Sequence, residues 1–291
     1  MYPAAFRYHV PESIAEAVGM AAELPDARFL AGGHSLIPLM KQRLAQPSDL
    51  IDLRKVTEMR QLSALDGQVR IGAAVTHWEA HSSALLSSLC PLLSETAGHI
   101  GDPQVRNCGT LGGSLAYADP GADYPACILA LNAVLVCESL AGRRSIDSSD
   151  WFKGLFTTAL DPGELLVEIH IPVIRGCTGS AYRKLPHPAS RMAVVGVAVE
   201  LTLDRAGVCE RIQIGINGLG SNAIRAGDIE EQLIGRAIDD DLVARACASL
   251  PRVQDISGDR FVSAADKLPL CRNLIRSAVS AALKNAVRTE V

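Results

Sequence analysis

Two glycine-rich loops constrain this chain more than any other feature. The first, Ala31-Gly32-Gly33-His34-Ser35-Leu36, falls between an expected strand and an expected helix. The second, Gly109-Thr110-Leu111-Gly112-Gly113-Ser114, opens a glycine-dense stretch that continues through Asp119-Pro120-Gly121-Ala122-Asp123. Glycine lets a backbone approach a ligand closely and take positive φ. Consecutive exposed amides beside a helix N-terminus bind phosphate oxygens without a cation. Either loop alone reads as an ordinary tight turn. Two of them, each ending near a hydroxyl residue, suit a diphosphate gripped from both sides.

Around these loops the pattern predicts α+β organisation. Residues 12–24 read as a helix with a Ser13/Glu16 capping box, 28–31 as a strand, 36–44 as a helix capped by Ser35, and 50–53 as a strand. Val69, Ile71 and Ala73 alternate as a half-buried strand, and Thr76/Glu79 cap a helix running through Leu86. Helices are expected at 91–100 and 124–131, and strands at 134–137 and 164–171. Beyond a flexible boundary at 176–179, strands are expected at 180–184, 193–203 and 208–217, the last two as a hairpin. Helices follow at 223–234, 240–250 and 267–287, so the last segment reads as a separate α+β domain.

Composition excludes several classes. With 48% hydrophobic and 21% charged residues, the chain is too apolar to be disordered. The net charge of −4 argues against a general nucleic-acid binder. The longest apolar run, 125–137, is too short to span a bilayer and carries Asn132. Residues 1–10 have no apolar signal core, so a cytoplasmic location is expected. Eight cysteines with no short ligand spacing disfavour a zinc or iron–sulfur site in this chain and read as reduced, mostly buried apolar residues.

Three further motifs carry weaker signals. Gly218-Leu219-Gly220-Ser221-Asn222-Ala223 fits a dinucleotide fingerprint, but no strand precedes the acidic residues at 239–241, so a plain turn is the better reading. His77 and His81 have metal-ligand spacing, but Glu79 is on the wrong face, and a solvated helix end is preferred. Asp239 to Asp241 read as charge at a helix N-terminus. No nucleophile elbow or Ser–His–Asp order appears.

The stretches LAGGHSLIPLMKQRLAQPSDLIDLRKV (30–56) and IGDPQVRNCGTLGGSLAYADPGADYPA (100–126) resemble the FAD-binding medium subunit of the molybdenum hydroxylase family. That family includes aerobic carbon monoxide dehydrogenase and bacterial xanthine dehydrogenase. The resemblance implies a vanillyl-alcohol-oxidase (PCMH)-type FAD fold, with subdomains at 1–56 and 57–175 and a C-terminal α+β flavoprotein domain at 176–291. It implies that Leu30, Ala31, Gly32, Gly33, His34, Ser35 and Leu36 line the diphosphate and ribityl chain. Thr110, Leu111, Gly112, Gly113 and Ser114 would form the second clasp, and Asp123 would bind FAD hydroxyls. Ile100 and Leu166 would lie beside the flavin or adenine, and Lys184 near the isoalloxazine edge. Cys108 departs from the arginine common at its position, and the cysteine-rich insertion of the benzoyl-CoA reductase branch is missing.

The implied function is electron transfer. A small [2Fe–2S] subunit would pass electrons from a large molybdenum-pterin subunit to FAD here, in a dimer of heterotrimers. FAD would release them to NAD, a quinone or oxygen. The chain would then hold no substrate-oxidising residue. The competing expectation is a free-standing FAD oxidase of the same fold; a domain that has lost FAD is disfavoured by the two intact loops.

Overall fold

The computed structural model describes residues 2–250, 256–258 and 260–288; the rest of the expected third domain lies outside the described residues. The N-terminal unit contains β1 (Arg7–His9), α1 (Ile14–Glu23), β2 (Ala27–Leu30), α2 (Leu36–Lys41) and β3 (Asp49–Asp52). Its sheet is parallel, in the order β1-β3-β2, with all four residues of central β3 buried. Burial of two aspartates is tolerated because each is paired. Asp49 accepts from Arg7 at 2.8 Å and from His9 at 2.7 Å, while Asp52 accepts from Arg54 at 2.7 Å and from Tyr8.

Two expected caps differ. Ser13 accepts from the Glu16 amide at 3.1 Å, but the Glu16 carboxylate turns to the Glu12 amide, one residue earlier than a reciprocal box requires. Ser35 makes no side-chain cap: its backbone already has helical angles, φ −103° and ψ −51°. The first turn starts instead from the Gly33 carbonyl, which accepts from Ile37 at 3.0 Å.

The second unit runs through β4 (Leu62–Leu65), β5 (Gln68–Gly72), α3 (His77–Ser82), α4 (Ala84–Leu89), α5 (Pro91–Gly98), α6 (Pro103–Cys108), α7 (Leu111–Tyr117) and α8 (Tyr124–Ala130). It continues with β6 (Val134–Ser139), β7 (Gly142–Asp147), α9 (Ser148–Trp151), β8 (Phe152–Gly154), β9 (Thr157–Thr158) and β10 (Leu165–Pro172). The main sheet is antiparallel, in the order β4-β5-β10-β6-β7. The Thr76/Glu79 capping box is complete. The helix it starts is split at Ser83, which turns extended (ψ 119°) and caps α4 through the Leu86 amide at 3.3 Å. The glycine-dense stretch contains a helix that propensity alone does not favour, α7, capped where the Thr110 hydroxyl accepts from Gly113 at 3.1 Å.

The C-terminal unit comprises β11 (Cys177–Pro186), β12 (Ala193–Leu203), β13 (Cys209–Asn217), β14 (Ile224–Arg225), α10 (Gly227–Leu233), α11 (Asp240–Ala246) and α12 (Ala264–Arg288). Its antiparallel sheet follows chain order, and the expected hairpin is β12–β13. The helix expected over 223–234 is interrupted because Ile224 and Arg225 first pair with β13. The one expected over 240–250 closes early, in a 3-10 turn at Cys247–Ser249. Asp239 caps α11, accepting from Leu242 at 2.7 Å. Gly218-Leu219-Gly220 is a turn between β13 and β14. Six of the eight cysteines are buried.

Every residue of β12 is buried because both faces of its sheet are covered. Val195, Val197, Val199, Leu201 and Leu203 pack into the C-terminal core with α12. Ala198 and, on β11, Tyr182 pack into the core of the preceding units. Helix α8 is the counterpart: all seven of its residues are buried, and β13 lies against it. That approach depends on Gly215, where a Cβ would collide with the Ala126 carbonyl. Asn217 adds a bond from Nδ2 to the Ala122 carbonyl at 2.6 Å, and Arg225 reaches Asn132 Oδ1 at 2.7 Å.

Gly215→Val should therefore destabilise the chain by about 1–3 kcal/mol or more, the cost of forcing side-chain volume into a closed interface. Chemical denaturation of the purified protein measures this. An unchanged midpoint would show that β13 and α8 do not close as described.

Candidate cofactor-binding site

The fold brings the two glycine loops into direct backbone contact. A Cβ on Gly32 would lie 2.6 Å from Gly109 Cα and closer still to the Cys108 carbonyl oxygen, so glycine is required for the loops to meet. Gly33 takes φ +72°, a left-handed conformation, and turns the chain into α2. Among the described residues, nothing accepts a hydrogen bond from the amides of Gly32, Gly33, His34 or Ser35. The His34 imidazole folds back, pairing Nδ1 with the Gly32 carbonyl at 2.9 Å. A row of unengaged amides with little side chain above it is a physical fit for phosphate oxygens.

The second loop differs from the sequence expectation of consecutive exposed amides. Leu111 donates to the Val75 carbonyl at 2.9 Å, Gly112 to Ala73 at 2.8 Å, and Ser114 to Thr110 at 3.0 Å. Gly109 donates to Val105 at 2.8 Å, and Gly113 to the Thr110 hydroxyl. These bonds fasten the start of α7 to Ala73 and Val75, just beyond β5, and complete its first turn. Leu111 and Gly112 are buried, and among the described residues Thr110 alone of this loop has an amide with no acceptor, so the loop presents a wall with one donor rather than a row of them.

Asp123 and Lys184, 61 residues apart, form a buried ion pair. Both side chains are 5% exposed, with Nζ 2.9 Å from Oδ1. Lys184 Nζ also donates to the His99 and Arg191 carbonyls, each at 2.8 Å. Tyr182 donates its hydroxyl to Asp123 Oδ1 at 2.6 Å. Burial pushes the Asp123 carboxyl above the usual carboxylate range, against the opposing charge of Lys184. Ile100 packs against the core in a loop held by Arg106, whose guanidinium donates to the Ile100 carbonyl at 2.9 Å. Leu166 lies on β10 opposite Cys137, sealed in the core.

The sequence reading missed Tyr182, Arg106 and the character of His77. His77 is not part of a solvated helix end: it is 5% exposed, and its ring packs on Tyr124 at a centroid distance of 5.3 Å. His81 points elsewhere, to the Ser94 carbonyl at 3.1 Å. No local pattern marks these residues, because their neighbours come from α8 and the second loop. Beyond α7, a cleft of about 340 Å³ opens at the seam with the C-terminal unit, lined by Asp119, Gly121, Leu155, Met192 and Ser221 among others.

Lys184→Met should strand a buried carboxylate and destabilise the protein by about 3–5 kcal/mol. The double variant with Asp123→Asn should recover most of that loss; denaturation midpoints of the three proteins compare them. A second test follows from His77, which burial, then the nearby His34 and Arg106, bring down from 6.5 to about 4. The unfolded chain takes up that proton more readily, so the contribution is whole above pH 6.5 and is lost as pH falls toward 4. The full loss is about 3 kcal/mol. His77→Leu should flatten the acid side of the stability profile of the flavin-free protein by this amount, and an unchanged slope would count against the burial described.

The arrangement has close counterparts. Residues 4–174 match the FAD binding domain in molybdopterin dehydrogenase, and residues 180–282 match the CO dehydrogenase flavoprotein C-terminal domain. The carbon monoxide dehydrogenase medium chain of Hydrogenophaga pseudoflava is 36% identical, covering 97% of this chain and 98% of that one. The 6-hydroxypseudooxynicotine dehydrogenase complex subunit alpha of Paenarthrobacter nicotinovorans is 34% identical, covering 100% and 98%. A solved carbon monoxide dehydrogenase from Hydrogenophaga pseudoflava, lacking the Mo-pyranopterin moiety, superposes with a TM-score of 0.94 at 37% identity, over 98% of this chain and 99% of that one. With both domains matched in order and the α+β architecture shared, this chain belongs to the FAD-binding medium-subunit family of the molybdenum-dependent hydroxylases and dehydrogenases.

Proposed function

We propose that the chain is the electron-relay subunit of a molybdenum hydroxylase complex, with FAD laid across the seam between the two glycine loops. The observation that carries this is the row of unengaged amides from Gly32 to Ser35, closed against Gly109. FAD, when bound, supplies a centre that accepts two electrons and releases them to a separate acceptor.

The chain's own residues have four tasks. Leu30 to Leu36 bind the diphosphate and ribityl chain, mainly through the amides. Thr110 to Ser114 form the opposing wall, and their internal hydrogen bonds keep it rigid. Asp123 and Lys184 fix the seam with the C-terminal unit, where Lys184 holds a positive charge beside the place the flavin edge would take. Ile100 and Leu166 supply apolar surroundings. The cleft lined by Asp119, Met192 and Ser221 is then where the acceptor (NAD, a quinone or oxygen) would approach.

Electrons would arrive from a small [2Fe–2S] subunit, itself reduced by a large molybdenum-pterin subunit, within a dimer of heterotrimers. Relatives named as a medium chain and as a complex subunit support membership of a multi-subunit complex. Six buried free thiols suit a reducing compartment, and the reading places the complex in the cytoplasm. No described helix is long and apolar enough to cross a membrane.

Copurification with both partners tests the proposal. The flavin absorbance of the assembled complex should bleach when the substrate of the molybdenum subunit is added. The lone chain, loaded with FAD, should not oxidise that substrate. Brisk turnover by the lone chain would overturn the relay in favour of a free-standing oxidase.

A further inference from the structure

The turn Gly218-Leu219-Gly220-Ser221-Asn222 belongs to neither glycine loop of the flavin site. It is not a strand–turn–helix fingerprint, because Ile224 and Arg225 return to β13 and α10 starts only at Gly227. Its hydrogen-bond account is nevertheless unlike that of an ordinary turn. Among the described residues, nothing accepts from the amides of Gly218, Leu219, Gly220, Ser221 or Asn222. Gly218, Leu219 and Gly220 are buried. Buried amides need partners. The open space beside them is the cleft of about 340 Å³, which Gly218, Gly220 and Ser221 line. These donors are therefore available to whatever enters the cleft.

Two further features give the cleft its chemistry. Lys267, buried and also on the lining, donates from Nζ to the Gly218 carbonyl at 2.8 Å, which fixes the turn and sets an ammonium beside it. Asp119 lines the cleft as well, and its Oδ1 accepts from the Gly121 amide at 2.9 Å. No other donor reaches this carboxylate among the described residues, so its second oxygen is open to a ligand. Leu155, Met192 and Val194 supply apolar lining.

Successive amides suit an anion with several oxygens, a half-buried carboxylate suits hydroxyl donors, and the apolar lining suits a flat ring. A nucleotide carries all three groups. An oxidised quinone carries a ring and carbonyl oxygens but no hydroxyl donor for Asp119, and it leaves most of the amide row unused. Molecular oxygen requires none of this lining. The cleft is at the small end of ligand sites, which run from roughly 300 to 1,000 Å³, so one half of a dinucleotide enters it.

We propose that this cleft is a nucleotide site in which the Gly218–Asn222 turn takes phosphate and Asp119 takes ribose hydroxyls, so that the electron acceptor is a nicotinamide dinucleotide. This rests on the flavin-relay reading above and selects among its three acceptors.

Calorimetric titration of the FAD-loaded protein with NAD and with ADP-ribose tests the assignment. Both should bind. Ser221 is exposed, so its variants should keep the wild-type unfolding midpoint and flavin content. Ser221→Asp, which sets a carboxylate among the amides, should weaken both ligands by about tenfold or more, whereas Ser221→Lys should hold or raise the affinity. Asp119→Ala should weaken both by about tenfold through loss of charge-assisted hydrogen bonds to the ribose. Affinity unchanged in Ser221→Asp would overturn the phosphate assignment. Equal losses in Ser221→Asp and Ser221→Lys would also overturn it, since bulk rather than charge would then matter. If Asp119→Ala does not fold, the Ser221 pair decides alone. Wild-type protein that holds FAD but binds neither nucleotide would overturn the inference and leave the relay standing; its chemically reduced flavin should then be reoxidised by a short-chain quinone. Wild-type protein that takes up no FAD would overturn the relay reading itself, and this inference with it.

Discussion

The ammonium of Lys184 joins three parts of the molecule. It donates to Asp123 at the start of α8, to His99 just beyond α5, and to Arg191 in the β11–β12 connection. An ammonium has three donors, and here all three are used inside a nearly closed space. Removing any one acceptor leaves a buried polar group uncompensated, so the three segments are held as one. The C-terminal sheet is thereby locked over the cofactor-binding units at the edge of the proposed flavin site. Tyr182 adds the fourth contact, packing its ring on His99 at 5.7 Å while its hydroxyl serves Asp123.

The glycine loops divide their work unequally. Both have the composition of an anion cradle, yet the first leaves a row of four amides unengaged among the described residues and the second only that of Thr110. The second is tied to Ala73 and Val75, just beyond β5, and into the first turn of α7, which holds it rigid. Its glycines permit close approach to other parts of the chain: Gly109 to the His77 ring and Gly112 to Ala73. A glycine motif is thus evidence for tight geometry, and hydrogen-bond accounting shows which loop can still donate.

How much of the molecule was legible in the sequence varies with the range of the interaction. The β12–β13 hairpin and the Thr76/Glu79 capping box were readable because their signals are local: alternation, a polar turn, a hydroxyl three residues before a glutamate. Strand β1, with the polar sequence Arg-Tyr-His, was not, since it exists only through pairing with β3. Helix α7 was hidden by two glycines and is held by contacts from residues 73–75. The Ser35 cap was expected from residue type, but type does not report that the loop already enters helical angles at that position.

By itself, the sequence determined the chemistry that is local or shared along the chain: the two glycine loops, the alternating strands, the scattered thiols and the family resemblance those loops carry. Tertiary structure alone decided which loop amides are engaged, that Asp123 meets Lys184 across 61 positions, and that His77 is buried beside Gly109 instead of solvated. The physical reason is the same in each case. Hydrogen-bond satisfaction and desolvation depend on what the fold places opposite a group, and no spacing rule along the chain encodes that neighbour.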